Sequence, residues 1–154
     1  MLELKEITYD NLREVIKIYD TLSEQDKSHV APNMYSLAEA YINYPNAWPR
    51  AIEVDNKVVG FVMLGLDNYI APEEDWPVYF LWRFMVGTEF QGKGYGKEVL
   101  DLIVKKCKDE NRRYCYVSCT LKDPMPYAMY IKYGFEDTGK EDEGEQILRL
   151  KIDE

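Results

Sequence analysis

The chain has one histidine, His29, and three cysteines, Cys107, Cys115 and Cys119. That scarcity leaves little for metal chemistry. Cys115 and Cys119 stand four apart without a second pair, so no zinc site is expected, and three thiols without a secreted-scaffold spacing read as free cysteines in a reducing cytoplasm. His29 falls in a loop and is read as having no chemical role. Long apolar runs are also missing, so nothing is predicted to span a membrane. The stretch MLELKEITYDNLREV is acidic from its third residue, which predicts no cleavable signal peptide. Positive charge is in deficit, with 19 Lys and Arg against 28 Asp and Glu, a net charge of −9. Nucleic acid is a poor partner for such a chain, because binding it relies on neutralising phosphates with basic side chains. A cationic small molecule suits this field better.

What is present suits a single folded domain over residues 1–154, with 46% hydrophobic and 31% charged residues. LELKEI alternates apolar and charged residues and reads as a half-buried strand. YDNLREVIKIYDTL places Leu12, Val15, Ile16 and Tyr19 at helical spacing, with Asp10 as the expected N-cap. MYSLAEAYINY is a second helix, in which Ser36 and Glu39 have capping-box spacing; Pro45 and Pro49 close it. RAIEV and KVVGFVMLGL flank Asp55-Asn56, a two-residue hairpin turn. PVYFLWRFMV is apolar almost throughout and reads as a central strand covered on both faces, with Arg83 as a paired structural arginine. A helix with Val99, Leu102, Ile103 and Cys107 on one face follows. RYCYVSC is then a strand and MPYAMYIKY a short helix, and a hairpin around KEDEGE closes the chain. The order predicts an α/β (α+β) fold with a mixed sheet and helices on its faces.

VGTEFQGKGYGKEVL, residues 86–100, puts glycines at 87, 92, 94 and 96 where a strand hands over to a helix. Glycine permits left-handed backbone and close approach, and a helix N-terminus offers unpaired N–H groups and a positive dipole end. Together they predict an anion seat, commonly for phosphate. Two nucleotide patterns nearly fit. Gly87 to Lys93 reads G-x-x-x-x-G-K, but Gly94 follows where a P-loop needs Ser or Thr for magnesium. Gly92, Gly94 and Gly96 are spaced G-x-G-x-G, not the G-x-G-x-x-G of dinucleotide sites, and no acidic residue lies at the expected distance.

The remaining pattern, Gln91-Gly92-Lys93-Gly94-Tyr95-Gly96-Lys97, resembles the acetyl-CoA loop of the GNAT superfamily of N-acetyltransferases, Q/R-x-x-G-x-G/A. FLWRFMV before the loop, the helix from Gly94 after it and AMYIKYGF near the end resemble that family too. Element order agrees from about Leu2 to Ile152. Within the family, GLDNY…W…FLWRFMV…FQGKGYGK is most similar to bacterial spermine/spermidine acetyltransferases. The resemblance implies the GNAT fold, with a central, mostly antiparallel sheet, and acetyl-CoA as cosubstrate with no metal. It assigns the cofactor to Phe84, Met85, Val86, Gln91, Gly92, Lys93, Gly94, Tyr95, Gly96, Lys97, Asp123 and Lys132. Tyr130 takes the place of the family's general acid at the leaving sulfur. Asp123 stands where the family usually has Asn, and Trp82 where polyamine acetylases often have an acidic residue, so no base is assigned. Glu73, Glu74, Asp75 and Trp76 read either as a polyamine-binding cluster, with carboxylates for ammonium groups and an aromatic for cation–π contact, or as a solvated loop. The acceptor implied is a small cationic amine, with spermidine or spermine foremost. A protein N-terminus, an aminoglycoside, or a non-catalytic role in sensing CoA or a polyamine are the rivals. By analogy with its relatives a homodimer is an expected assembly.

Overall fold

The computed structural model describes residues 1–121 and 124–153. Its elements run β1 (Leu2–Lys5), α1 (Leu12–Asp20), α2 (Glu24–Lys27), α3 (Asn33–Ile42), β2 (Ala47–Val54), β3 (Lys57–Leu66), β4 (Val78–Val86), α4 (Tyr95–Asp109), β5 (Tyr114–Cys119), α5 (Pro124–Tyr133), β6 (Glu136–Asp142) and β7 (Glu145–Lys151). Seven strands form one sheet in the order β1-β2-β3-β4-β5-β7-β6. Pairs β1–β2, β5–β7 and β6–β7 are antiparallel, whereas β4 and β5 are parallel. The mixed, mostly antiparallel sheet with helices is the α/β architecture expected from the sequence. Contacts group the chain into two compact units, Met1–Leu64 with Trp82–Asp101, and Gly65–Leu81 with the described residues from Leu102 onward.

In the first unit, helix α1 buries Val15 and Ile18 against Leu22, Ala40, Ala51, Phe61, Met63 and Met85. Its N-cap is Asn11, not the expected Asp10. The Asn11 carboxamide is occupied elsewhere, accepting from the Thr8 N–H at 2.9 Å and donating to Glu6 O and the buried Glu53 carboxylate. The short helix α2 begins at an orthodox cap, with Ser23 Oγ accepting from the Asp26 N–H at 3.1 Å. Asp55 and Asn56 turn the β2–β3 hairpin with φ of +50° and +69°, as that dipeptide favours. Strand β3 is buried from Val58 to Gly65, so the continuously covered strand is β3; β4 is buried from Val78 to Leu81 and half-buried at Trp82, Arg83 and Phe84.

In the second unit, β4 and β5 lie in register over Val78–Phe80 against Tyr114–Tyr116. Strand β5 then pairs along its length with β7, Tyr114 opposite Lys151 through Cys119 opposite Gln146. Buried side chains include Val78, Phe80, Ile103, Cys107, Cys115, Val117, Phe135 and Leu148. The three thiols are free and buried.

Candidate active site

The glycine loop belongs wholly to the first unit. At the end of β4 the Gly87 N–H donates to Val59 O at 2.8 Å. Gly60 sits beside it on β3, where a Cβ would run into the Met85 carbonyl oxygen; only glycine allows that approach. Thr88 then ties the chain to α1, its N–H donating to Thr21 Oγ1 at 3.3 Å and its hydroxyl to Thr21 O at 2.5 Å. Gln91 braces the loop from below. Its Nε2 donates to Val86 O at 2.9 Å and to Asp26 Oδ2 at 3.3 Å, so this side chain fixes where the loop leaves the strand.

Gly92 and Gly94 have φ of +77° and +84°, left-handed backbone that other L residues adopt only at a cost of about 1–2 kcal/mol. A Cβ at either would meet nothing within 4 Å. Neither glycine is therefore demanded by crowding inside the protein; each leaves an open surface over the backbone amides. Helix α4 starts at once, with the Glu98 N–H donating to Gly94 O at 3.3 Å, and the first N–H groups of a helix have no partner within it. Lys93 is exposed, and Lys97 pairs with Asp101 at 2.9 Å on the helix surface. Gly96 lies inside the first turn of α4, beside Tyr95. An open amide surface at a positively polarised helix end, with two lysines at its edge, fits a diphosphate.

The strand leading to this loop is anchored from α3. Arg83 donates through Nε to Ser36 Oγ at 3.1 Å, through Nη2 to Glu39 Oε1 at 2.9 Å and through Nη1 to Trp82 O at 3.1 Å. Ser36 and Glu39 are thus not the capping box their spacing predicts. Residues three apart share a helix face, and here that face meets β4, while Pro32 stands at the N-cap. Beyond Arg83 the side chains alternate: Met85 enters the core cluster, while Phe84 and Val86 stay half-buried.

Tyr130 belongs to the second unit. Helix α5 ends there because Gly134 turns left-handed at φ +131°, and the N–H groups of Gly134 and Phe135 both donate to Tyr130 O. This folds the Phe135 ring edge-on against Tyr130, with centroids 5.3 Å apart. The Tyr-x-x-x-Gly-Phe spacing is therefore also a helix stop. Burial pushes the Tyr130 phenol well above its ordinary pKa, and the Cys119 and Cys115 thiols add to the effect. Burial likewise raises the Cys119 thiol to about 11, with Glu145 and Asp137 contributing. Tyr127 donates instead to Asp137 at 3.0 Å. Lys132 is exposed. Asp123 lies outside the described residues.

Glu73 to Asp75 form one 3-10 turn, and its three carboxylates part company. Asp75 is buried, accepting from the Tyr116 hydroxyl and from Arg149 Nη1 at 3.0 Å, while Arg149 Nε reaches Glu136 at 2.8 Å. Trp76 Nε1 donates to Ala71 O at 3.2 Å. Asp75 and Trp76 are therefore engaged in holding this segment, and Glu73 and Glu74 are the carboxylates left exposed. Sequence reading missed Arg149 as the partner of Asp75. Its signal was faint, a charged residue within the apolar alternation of EQILRLKI. No group of three or more His, Cys, Asp or Glu able to hold a metal occurs among the described residues.

The first unit thus presents a strand, a left-handed glycine loop and a helix N-terminus in succession, and the second a buried tyrosine before Gly-Phe. The sequence model of the Acetyltransferase (GNAT) family matches residues 13–135, and the chain belongs to that family. It is 26% identical over 96% of its length, and 96% of the relative's, to the spermine/spermidine N(1)-acetyltransferase of Bacillus subtilis (strain 168). Among solved structures, the fold is similar to the GNAT domain of S. lividans PAT (TM-score 0.76, 12% identity, 98% of this chain and 89% of that one). It is similar also to the PaiA N-acetyltransferase of Thermoplasma acidophilum in complex with coenzyme A (TM-score 0.68, 17% identity, 98% and 99%). No helix among the described residues is long and apolar enough to cross a membrane.

Proposed function

We propose that this acetyltransferase uses acetyl-CoA to acetylate a primary amine of a small cationic acceptor, spermidine or spermine foremost. The observation that carries the reading is the open, left-handed Gly92–Gly94 backbone at the start of α4, braced by Gln91. The amides from Gly92 to Lys97, with Lys93 and Lys97 at the rim, would hold the coenzyme's diphosphate. Backbone groups of Phe84, Met85 and Val86 would hold its pantetheine arm, with one N–H aimed where negative charge develops. Bound there, the coenzyme supplies an acetyl group activated as a thioester.

The acceptor must arrive as a free base. An alkylammonium of pKa about 10.4 lies roughly 3.4 units above pH 7, a cost of ~4.6 kcal/mol. A carboxylate, directly or through water, would take that proton. Tyr130 would face the departing sulfur. Protonated at neutral pH like any phenol, and made more reluctant to ionise by burial, it would serve chiefly as a hydrogen-bond donor that steadies the thiolate. The exposed Glu73 and Glu74, in a chain of net charge −9, favour a cationic acceptor. The similarity to a spermine/spermidine acetyltransferase supports the same class.

The test is release of coenzyme thiol from acetyl-CoA in the presence of spermidine, an aminoglycoside or an N-terminal peptide. Turnover with spermidine at least ~10-fold above the others in kcat/KM is expected, a difference of about 1.4 kcal/mol. Preference for another acceptor would refute the polyamine assignment. Stabilisation by CoA with no thiol release from any amine would refute catalysis itself and leave a sensor.

A further inference from the structure

Helix α3, NMYSLAEAYI, has one charged residue, Glu39, and that residue is turned inward onto Arg83. Asn33, Ser36 and Ala40 are buried on the same side. The opposite side carries Met34, Tyr35, Ala38, Tyr41 and Ile42, all exposed, at spacings of 0, 1, 4, 7 and 8, which is one continuous stripe of a helix. Tyr44, just beyond the helix, extends it. Exposures are 63% for Met34, 60% for Tyr35, 86% for Tyr41, 79% for Ile42 and 81% for Tyr44. A surface helix normally turns its charges to water, and one that is apolar all round is covered. Here the polarity is inverted, because the only charge faces in and the solvent side has none.

We propose that this face of α3 is the contact with a second copy of the chain. At roughly 150 Å² for each large side chain, the five large exposed residues, Met34, Tyr35, Tyr41, Ile42 and Tyr44, offer on the order of 750 Å², more than monomers usually leave open. That area is about what each partner contributes to a standard stable interface, roughly 800 Å². A two-fold contact needs a patch that complements itself, with every residue meeting the same surface on its mate. An uncharged stripe meets this condition, since two copies can oppose it without setting like charges together despite the net charge of −9. A charged partner would find nothing on the stripe to pair with. Tyrosines suit such a contact, burying apolar rings while their hydroxyls reach the wet rim. The proposal stands apart from the acetyl-transfer reading.

Sedimentation equilibrium of the full chain at micromolar concentration should give twice the 18.1 kDa of one copy. Tyr41→Glu with Ile42→Glu should weaken self-association at least ~30-fold, the effect of losing central interface anchors, with the far-ultraviolet spectrum unchanged. Hydrogen exchange in the unaltered protein gives an independent reading should that variant not fold. Amides of residues 33–42 should lose protection on dilution, while those of α1 and α4 do not. A species of 18.1 kDa throughout would overturn the proposal, including one whose α3 face takes an amine or another protein instead. So would a dimer whose exchange pattern on dilution leaves α3 unaltered.

Discussion

Tyr130 illustrates how a side chain proposed for chemistry is first fixed by packing. Its ring closes against Phe135, its carbonyl ends helix α5, and its hydroxyl sits in surroundings that resist ionisation. Tyr130→Phe keeps the ring and both backbone bonds, so the melting temperature should hold while kcat for thiol release falls by ~10²-fold or more. Unchanged turnover would remove the phenol from the reaction. Raised pKa values in the second unit also have a consequence for stability. The Cys119 thiol lies at about 11 against an ordinary 9.0, through burial foremost, and the Tyr116 phenol at about 12 against 10.0, through burial and its bond to Asp75. Both hold their protons more tightly folded than unfolded. Their stabilising contribution is therefore complete below pH 9 and lost as pH climbs through 11 and 12. Melting temperatures should be flat from neutrality to pH 9 and fall above it, and a flat profile to pH 11 would contradict this. None of these environments was legible from the sequence. The Tyr-x-x-x-Gly-Phe spacing pointed to Tyr130, but burial depends on what β5 and β7 place around it.

At the scale of elements, the join between α3 and β4 shows what local patterns miss. Ser36 and Glu39 satisfy the spacing of a capping box, and the same spacing satisfies a helix face turned to an arginine 44 residues away in sequence from Glu39. Only the tertiary fold decides between the two. Replacing Arg83 with Met leaves the half-buried Glu39 carboxylate and the buried Ser36 hydroxyl without their donor. We expect a loss of about 2 kcal/mol in chemical denaturation, with about half returned when Glu39→Gln is added. Full additivity of the two changes would show that the pair is not coupled. Helix α2 escaped notice because four residues are too few to establish a period. Strand β2 begins earlier than expected, at Ala47, although Pro49 interrupts the pattern. Its ladder with β1 starts only at Ala51, so on that side the missing N–H of Pro49 leaves no bond unmade. The long elements, β3, β4 and α4, were readable because a sustained apolar run in the strands and helical spacing in α4 outweigh local exceptions over ten or so residues.

For the whole molecule, the order of elements and the glycine loop carried most of what could be known in advance. Both are set by backbone requirements that show directly as residue type. The acceptor is a matter of side chains converging from separate segments. Asp75 shows how a carboxylate that looks available in sequence can be committed to Arg149 and Tyr116. The decisive observation is therefore where the coenzyme binds. In a titration of the isotopically labelled protein with acetyl-CoA, the amide signals of Gly92, Gly94 and Gly96 should shift saturably, while those of Gly139 in β6 and Gly144 in the β6–β7 turn stay put. Absence of binding, or shifts that spare residues 92–97, would contradict the assignment of this loop as the diphosphate seat.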